Sequence, residues 1–196
     1  MKVGILALQG DVGEHAAMLR NLEVEPIEVR RPADLDAVDA MVLPGGESTT
    51  LSLLMTSAGL GPPLVARLQS GMPALGTCAG MILLARDVAD GRADQVRLAA
   101  VDIAVRRNAF GRQVDSFETD LDVPAMAGGR FHAVFIRAPF VERTGPAVEV
   151  LATVEGRDGE EHPVLCRQGP VVVAAFHPEL SGDGRLHELF LERVAS

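Results

Sequence analysis

Two short stretches of this chain combine residue types that do covalent chemistry on carbonyl compounds. In "GTCAGM" (76–81) Cys78 stands between Gly76 and Gly80, after the apolar run "MPAL" and before "MILLA". A strand that runs into G-x-C-x-G and then into a helix has the sequence of a nucleophile elbow. The sharp turn lifts the side chain to the carboxyl end of a sheet, and small neighbours relieve the crowding. At a helix start, free N–H groups and the macrodipole favour the thiolate, which is the attacking form. The second stretch, "VVVAAFHPEL" (171–180), brings a base. His177 follows an apolar strand, and strands of an open parallel sheet end at the rim where ligands bind. Glu179, two residues on in a Pro-fixed segment, has the reach to hold the imidazole in one tautomer and stabilise its protonated form. Each stretch alone also has a plain structural reading, as a small buried cysteine at a tight crossing and as a solvated strand-end histidine. Their coincidence assembles a nucleophile, a base and an orienting carboxylate.

A third stretch, "LPGGEST" (43–49), ends another buried run in paired glycines. Gly45 and Gly46 let the backbone approach a substrate and aim N–H groups at it. The Gly46 N–H together with that of Ala79 is a candidate oxyanion hole, and the alternative is a strand-to-helix turn with Ser48 as N-cap. No Gly-Lys-Ser/Thr follows, so the stretch is not a P-loop. Among the arginines, Arg137 in "FIRAP" and one of Arg106 and Arg107 are candidates for a bidentate grip on a carboxylate, against a solvated or ion-paired alternative. His15 and His187 fall in helical patterns, His132 in a strand and His162 in a polar turn; all four read as structural or surface groups. Cys166, in "HPVLCRQG", lacks flanking glycines and reads as a packing residue. No Cys/His cluster has metal-ligand spacing, so no metal is expected.

The elements that must position these groups follow from periodicity. "KVGILAL" (2–8), "DVGEHAAMLRNL" (11–22), "EPIEVR" (25–30) and "DAMVLPGG" (39–46) alternate strand and helix, the rhythm of a parallel sheet covered by helices. Val12, Ala16, Leu19 and Leu22 form one apolar stripe. Helices are expected over 48–59, 62–71 and 79–88, and a buried strand over 72–77. The second half is β-rich, with strands over 98–107, 129–139, 147–156 and 171–178 added as antiparallel or mixed members, before a closing amphipathic helix over 184–195. The fold class is α/β with a mostly parallel central sheet, helices on both faces and added antiparallel strands. The 196 residues are expected to form one domain. Hydrophobic residues are 47%, charged residues 23%, and the net charge is −9, which suits a globular chain and disfavours broad attraction to nucleic acid or anionic membrane. Two cysteines and no signal-like start argue for free thiols and a cytoplasmic location.

Beyond these readings, "PGGEST", "GTCAG", "RNAFGRQVDSFE", "FIRAP" and "FHPEL" occur in an order and spacing that resembles the class I (triad) glutamine amidotransferase family, in particular the glutaminase subunits of pyridoxal 5′-phosphate synthase. The likeness spans essentially the whole chain. The general class I signature has glutamine four residues after the nucleophile, whereas Ile82 stands here, a departure that points toward the vitamin B6 branch. The resemblance implies a three-layer fold and hydrolysis of L-glutamine to glutamate and ammonia through a thioester on Cys78, with His177 as acid and base and Glu179 orienting it. It carries glutamine binding onto Gly46, Glu47, Ser48, Arg107, Ile136 and Arg137, and places Gln9 near the oxyanion site. It implies no cofactor for the chain, pyridoxal 5′-phosphate being the product of the complex. The implied partner is a synthase subunit in a large hetero-oligomer that activates the glutaminase, with neither nucleic acid nor membrane. Another cysteine hydrolase of the same α/β type and a non-catalytic docking subunit are the competing readings; the latter predicts a missing triad member, and none is missing.

Overall fold

The computed structural model describes residues 1–92, 95–107, 116–156 and 159–195. Its first part alternates strand and helix: β1 (Lys2–Leu6), α1 (Val12–Asn21), β2 (Glu25–Val29), β3 (Ala40–Leu43), α2 (Ser48–Ser57), α3 (Gly61–Gln69), β4 (Ala74–Thr77) and α4 (Ala79–Leu84). There follow β5 (Ala85–Val88), β6 (Val101–Arg106), β7 (Phe117–Leu121), β8 (Phe131–Phe135), β9 (Phe140–Thr144), β10 (Glu149–Glu155), β11 (Glu161–Gln168), β12 (Val171–Ala174) and α5 (Arg185–Val194).

Among the described residues the main sheet has the order β10-β11-β12-β4-β3-β1-β2. From β12 to β2 every neighbouring pair is parallel, while β11 and β10 are added antiparallel. Strands β3, β4 and β12 are buried at every position, the mark of a sheet covered on both faces. Two smaller pieces, β5-β6-β9 and the antiparallel pair β7-β8, complete the strands. The apolar stripe of α1 packs on β1 and β2, with Ala16 and Leu19 buried as expected, and His15 and Met18 joining them. Among the described residues no single helix is long and apolar enough to cross a membrane.

Several expectations require correction. The segment 79–88 is a helix only to Leu84; Ala85–Val88 pairs with β6, because Ala85 takes extended backbone at the helix end. Strands β7, β9 and β11 were not anticipated. His162 lies half-buried in β11 instead of a turn. Strand 129–139 stops at Phe135, and Ile136 and Arg137 form a bend with Arg137 at φ 47. Residues 108–115 of the "RNAFGRQVDSFE" motif lie outside the described residues.

The glycines around Cys78 act by packing more than by relieving the turn. Neither Gly76 nor Gly80 has a positive φ, whereas Cys78 itself does. A Cβ on Gly80 would run into the Leu43 carbonyl of β3, and one on Gly76 would stand 2.8 Å from the Gly80 backbone. The short α4 therefore lies directly on β3 and β4, and this closeness fixes where the elbow points. Gly80→Ala is expected to cost about 1–3 kcal/mol in urea unfolding, because a rigid carbonyl and not a flexible side chain must move.

Candidate active site

Four neighbouring parallel strands deliver the site. The central strand β4 ends at Cys78, which lies 7% exposed at φ 48, ψ −103, a region costly for any residue but glycine. Its N–H donates to the Ala174 carbonyl of β12 at 2.8 Å, and its own carbonyl accepts from the Ile82 N–H at 3.3 Å. These bonds hold the strained turn from both sides.

On one flank, the chain leaving β12 carries His177, whose N–H donates to the Val134 carbonyl of β8 at 2.9 Å. Phe176 packs on Phe135 and Phe131 of β8, with ring centroids 5.4 and 5.8 Å away. Thus β8 sets the position of the histidine, and the turn after it crosses the nucleophile: Cys78 Sγ lies 3.9 Å from the Ile136 carbonyl. The expected orienting carboxylate is in place, with Glu179 Oε1 2.8 Å from His177 Nδ1.

On the other flank, β3 ends in the glycine pair and β1 in Gln9. Gly46, at φ 147, comes so close to the Gln9 side chain that a Cβ would meet Gln9 Oε1 at 2.5 Å. That same Oε1 accepts from the Glu47 N–H at 3.0 Å, so Gln9 fastens the glycine turn. A Cβ on Gly45 would strike the His177 imidazole, which explains why this position is bare. Glu47, not Ser48, caps α2, its carboxylate accepting from the Thr49 and Thr50 N–H groups at 3.1 and 2.6 Å. Burial works to raise its pKa, but the bonds from Thr50 and Thr49 prevail and hold it below the ordinary value.

These pieces enclose a cavity of about 330 Å³ lined by Cys78, His177, Gly46, Glu47, Ser48, Arg107, Ile136, Arg137 and Gln9, so the resemblance-derived residues converge. Arg107 Nη1 donates to Thr49 Oγ1 at 3.1 Å and Nη2 to the Asp90 carbonyl at 3.1 Å, which braces the guanidinium at the cavity wall. Arg106 points away, exposed and paired with Glu142. Glu179 and Ala79 stand behind the lining, buried. Cys166 is fully buried in β11 with its thiol pushed up to about 12 by desolvation, as a packing residue should be.

Two residues near the histidine escaped the linear reading. Asp11 holds the N-cap position of α1 yet makes no capping bond; its Oδ2 lies 3.3 Å from His177 Nδ1 and it lines the cavity. The hydrogen bond with His177 draws its pKa down against burial. Asp11, His177 and Glu179 thus form a grouping whose ligand-type atoms lie within 4.8 Å of one another, which sequence spacing concealed. One Nδ1 proton facing two carboxylates accounts for it without a cation. Burial depresses the His177 pKa, but Asp11, Cys78 and Glu179 together raise it above the ordinary value, so the imidazolium is favoured in the resting site. Burial likewise raises that of Glu179, partly offset by His177. Behind Glu179 sits His15, fully buried, with Nε2 3.1 Å from Thr77 Oγ1 and Nδ1 2.9 Å from Nε2 of the buried His187. The signal that could have found both was helical spacing: Asp11 and His15 lie one turn apart at the start of α1, and α1 follows the strand that ends at the rim.

A parallel α/β sheet with a cysteine elbow, a strand-end histidine and a carboxylate behind it is the site of the α/β cysteine hydrolases, the class that includes the triad glutamine amidotransferases. The profile of the SNO glutamine amidotransferase family matches residues 5–196, and the chain belongs to that family. It is 58% identical over 195 residues to "Pyridoxal 5'-phosphate synthase subunit PdxT" of Frankia alni, covering 100% of this chain and 96% of the relative. The protein of the same name from Mycobacteroides abscessus is 56% identical over 192 residues, covering 98% and 96%. A crystal structure of a glutamine amidotransferase superposes with a TM-score of 0.90 at 47% identity, covering 99% of each chain. PurLQS from Thermotoga maritima, 16% identical with a TM-score of 0.68 and 97% coverage of each chain, shares the fold.

The buried imidazole pair gives stability a definite pH dependence. Desolvation lowers the His187 pKa from 6.5 to about 4, so between these values the unfolded chain binds more protons and stability falls as pH falls. From pH 7 to pH 5 this one group accounts for about 2 kcal/mol of lost stability. In His187→Gln, calorimetric or urea unfolding is expected to show an acid loss smaller by that amount.

Proposed function

We propose that this chain hydrolyses L-glutamine to L-glutamate and ammonia at Cys78, His177 and Glu179, and that the ammonia passes to a synthase subunit that builds pyridoxal 5′-phosphate. The observation that carries the reading is the elbow itself: a strained cysteine at the end of the central strand, in a cavity of amino-acid size, facing a histidine whose far nitrogen is held by a buried glutamate. The names of the PdxT relatives support the second half of the proposal.

In this scheme Arg107 grips the glutamine α-carboxylate with its braced guanidinium, while Gly46, Glu47, Ser48, Ile136 and Arg137 shape the pocket around the chain of the substrate. The Cys78 thiolate attacks the side-chain amide carbon, and the carbonyl oxygen gains the negative charge. The N–H groups of Ala79 and Gly46 receive that oxyanion, with Gln9 fixing the Gly46–Glu47 turn. Because Nδ1 of His177 is committed to Glu179, the proton that leaves with ammonia comes from Nε2. A glutamyl thioester on Cys78 remains. Water then gives a proton to Nε2, attacks the thioester carbon, and the cysteine departs as thiolate. Glu179, and Asp11 beside it, stabilise the imidazolium before the first proton transfer and again after the second. The chain needs no cofactor and no metal for this chemistry. The synthase subunit is the partner, in a large hetero-oligomer, and its docking raises the rate.

Cys78→Ala is expected to abolish ammonia release from glutamine measured with the synthase subunit present, and retained release would refute the scheme. Cys78→Gly is expected to be equally inactive yet no less stable than the parent chain, with stability higher by about 1–3 kcal/mol where the strain is fully relieved, read as a higher melting temperature.

A further inference from the structure

The carboxylate that holds His177 has a second oxygen with nothing bonded to it. Glu179 Oε2 is buried and makes no hydrogen bond, and the polar group facing it is His15 Nε2 at 3.3 Å. We propose that His15 is a positioning residue of the glutaminase reaction: as a neutral imidazole protonated on Nε2, it presents its N–H to Glu179 and Thr77 and so keeps Glu179 ionised and oriented toward His177. This rests on the triad reading above.

The proton positions follow from what each neighbour can accept. Ionised Glu179 only accepts, so the His15 nitrogen beside it must carry the proton. That proton points at Thr77 Oγ1, 3.1 Å away, and passes Glu179 Oε2 outside hydrogen-bond alignment, so its effect on the carboxylate is that of a close dipole. With Nε2 protonated, His15 Nδ1 is an acceptor, and His187 Nε2 at 2.9 Å must be the donor. His187 Nδ1 is then a bare lone pair, and it is the buried atom of that ring without a hydrogen bond. One assignment of tautomers satisfies the whole chain from α5 through α1 to the site. Burial above all keeps His15 neutral, and the charge of His177 adds to it, so it acts as a fixed dipole and not as a proton source. The contact also reaches the nucleophile, since Thr77 is the residue before Cys78.

The groups facing Glu179 are His177 on its own turn, Asp11 before α1 and His15 within α1; His187 of α5 faces His15, and Cys78 faces His177. His15 does not line the cavity, so its loss should spare substrate binding. The test measures ammonia release with the synthase subunit present, from pH 5 to 9, for the parent chain, His15→Met, His15→Gln and Cys78→Ala. His15→Met is expected to lower kcat about tenfold and to move the acid limb of the profile upward by about one pH unit, because an undipoled Glu179 protonates more easily; KM stays within about twofold. His15→Gln, which restores an N–H near the same place, is expected to recover most of kcat. If Cys78→Ala is inactive but His15→Met keeps the parent kcat and acid limb, the inference falls and the triad stands. If His15→Gln is as impaired as His15→Met with an unchanged melting temperature, the inference also falls. An active Cys78→Ala removes the triad reading itself. Imidazole nitrogen NMR of the parent chain covers the case in which variants do not fold. Neutral, Nε2-protonated His15 and His187 at pH 7 support the inference, and Nδ1 protonation or an imidazolium at His15 overturns it.

Discussion

Everything in this site hangs on one backbone constraint: Cys78 is held in a conformation that a cysteine does not choose. A residue with a Cβ at φ 48, ψ −103 stands about 1–3 kcal/mol above relaxed backbone. The surrounding sheet supplies what keeps it there. Strand β12 accepts the Cys78 N–H, and α4 is drawn onto β3 and β4 by the absence of side chains at Gly76 and Gly80. Because β4 is the middle strand of the seven, with parallel neighbours on both sides, β3 and β12 must end beside the same thiol, and β1 comes next. The convergence of the glycine turn, Gln9, Asp11 and His177 is therefore a consequence of strand order, not of separate local designs.

The electrostatics follow from burial in the same place. A nearly dry thiol, imidazole and carboxylate in a row would each be unstable as isolated ions. Placed together, Asp11, Cys78 and Glu179 favour the charged form of His177, and its raised pKa is the sum of that support against desolvation. A second carboxylate on the same nitrogen, Asp11, adds to it from the half-exposed side. The buried His15–His187 pair is the neutral counterpart: two imidazoles that desolvation keeps uncharged behind the charged row.

How much of this the sequence disclosed depended on the physics behind each element. The parallel strands were legible because burial on both faces writes an unbroken apolar run, as in "AMVL" and "VVVA". Strands β7 and β9 were not, since "FETDL" and "FVERT" carry charges and pair on small outer pieces of sheet. Strand β11 was disguised by Pro163, which lies outside its ladder with β12, a ladder that begins at Leu165. The helix over 79–88 was overlong because an apolar run cannot say where extended backbone takes over. At the site, Cys78, His177 and Glu179 were readable from chain-local patterns. Asp11 carried no reading of its own and His15 read as a structural or surface group, because the partners of both lie across the sheet. Glu47 in place of Ser48 at the cap shows the same limit at one turn's distance.

The proposed reaction requires that Cys78 become acylated by glutamine in this cavity. It is tested most directly by exposing the chain, together with its synthase subunit, to an electrophilic glutamine analogue and locating the adduct by peptide mass spectrometry. One adduct is expected, on the peptide carrying Cys78, protected by excess glutamine and lost in His177→Ala. An unlabelled Cys78, or labelling of Cys166 in its place, would contradict it.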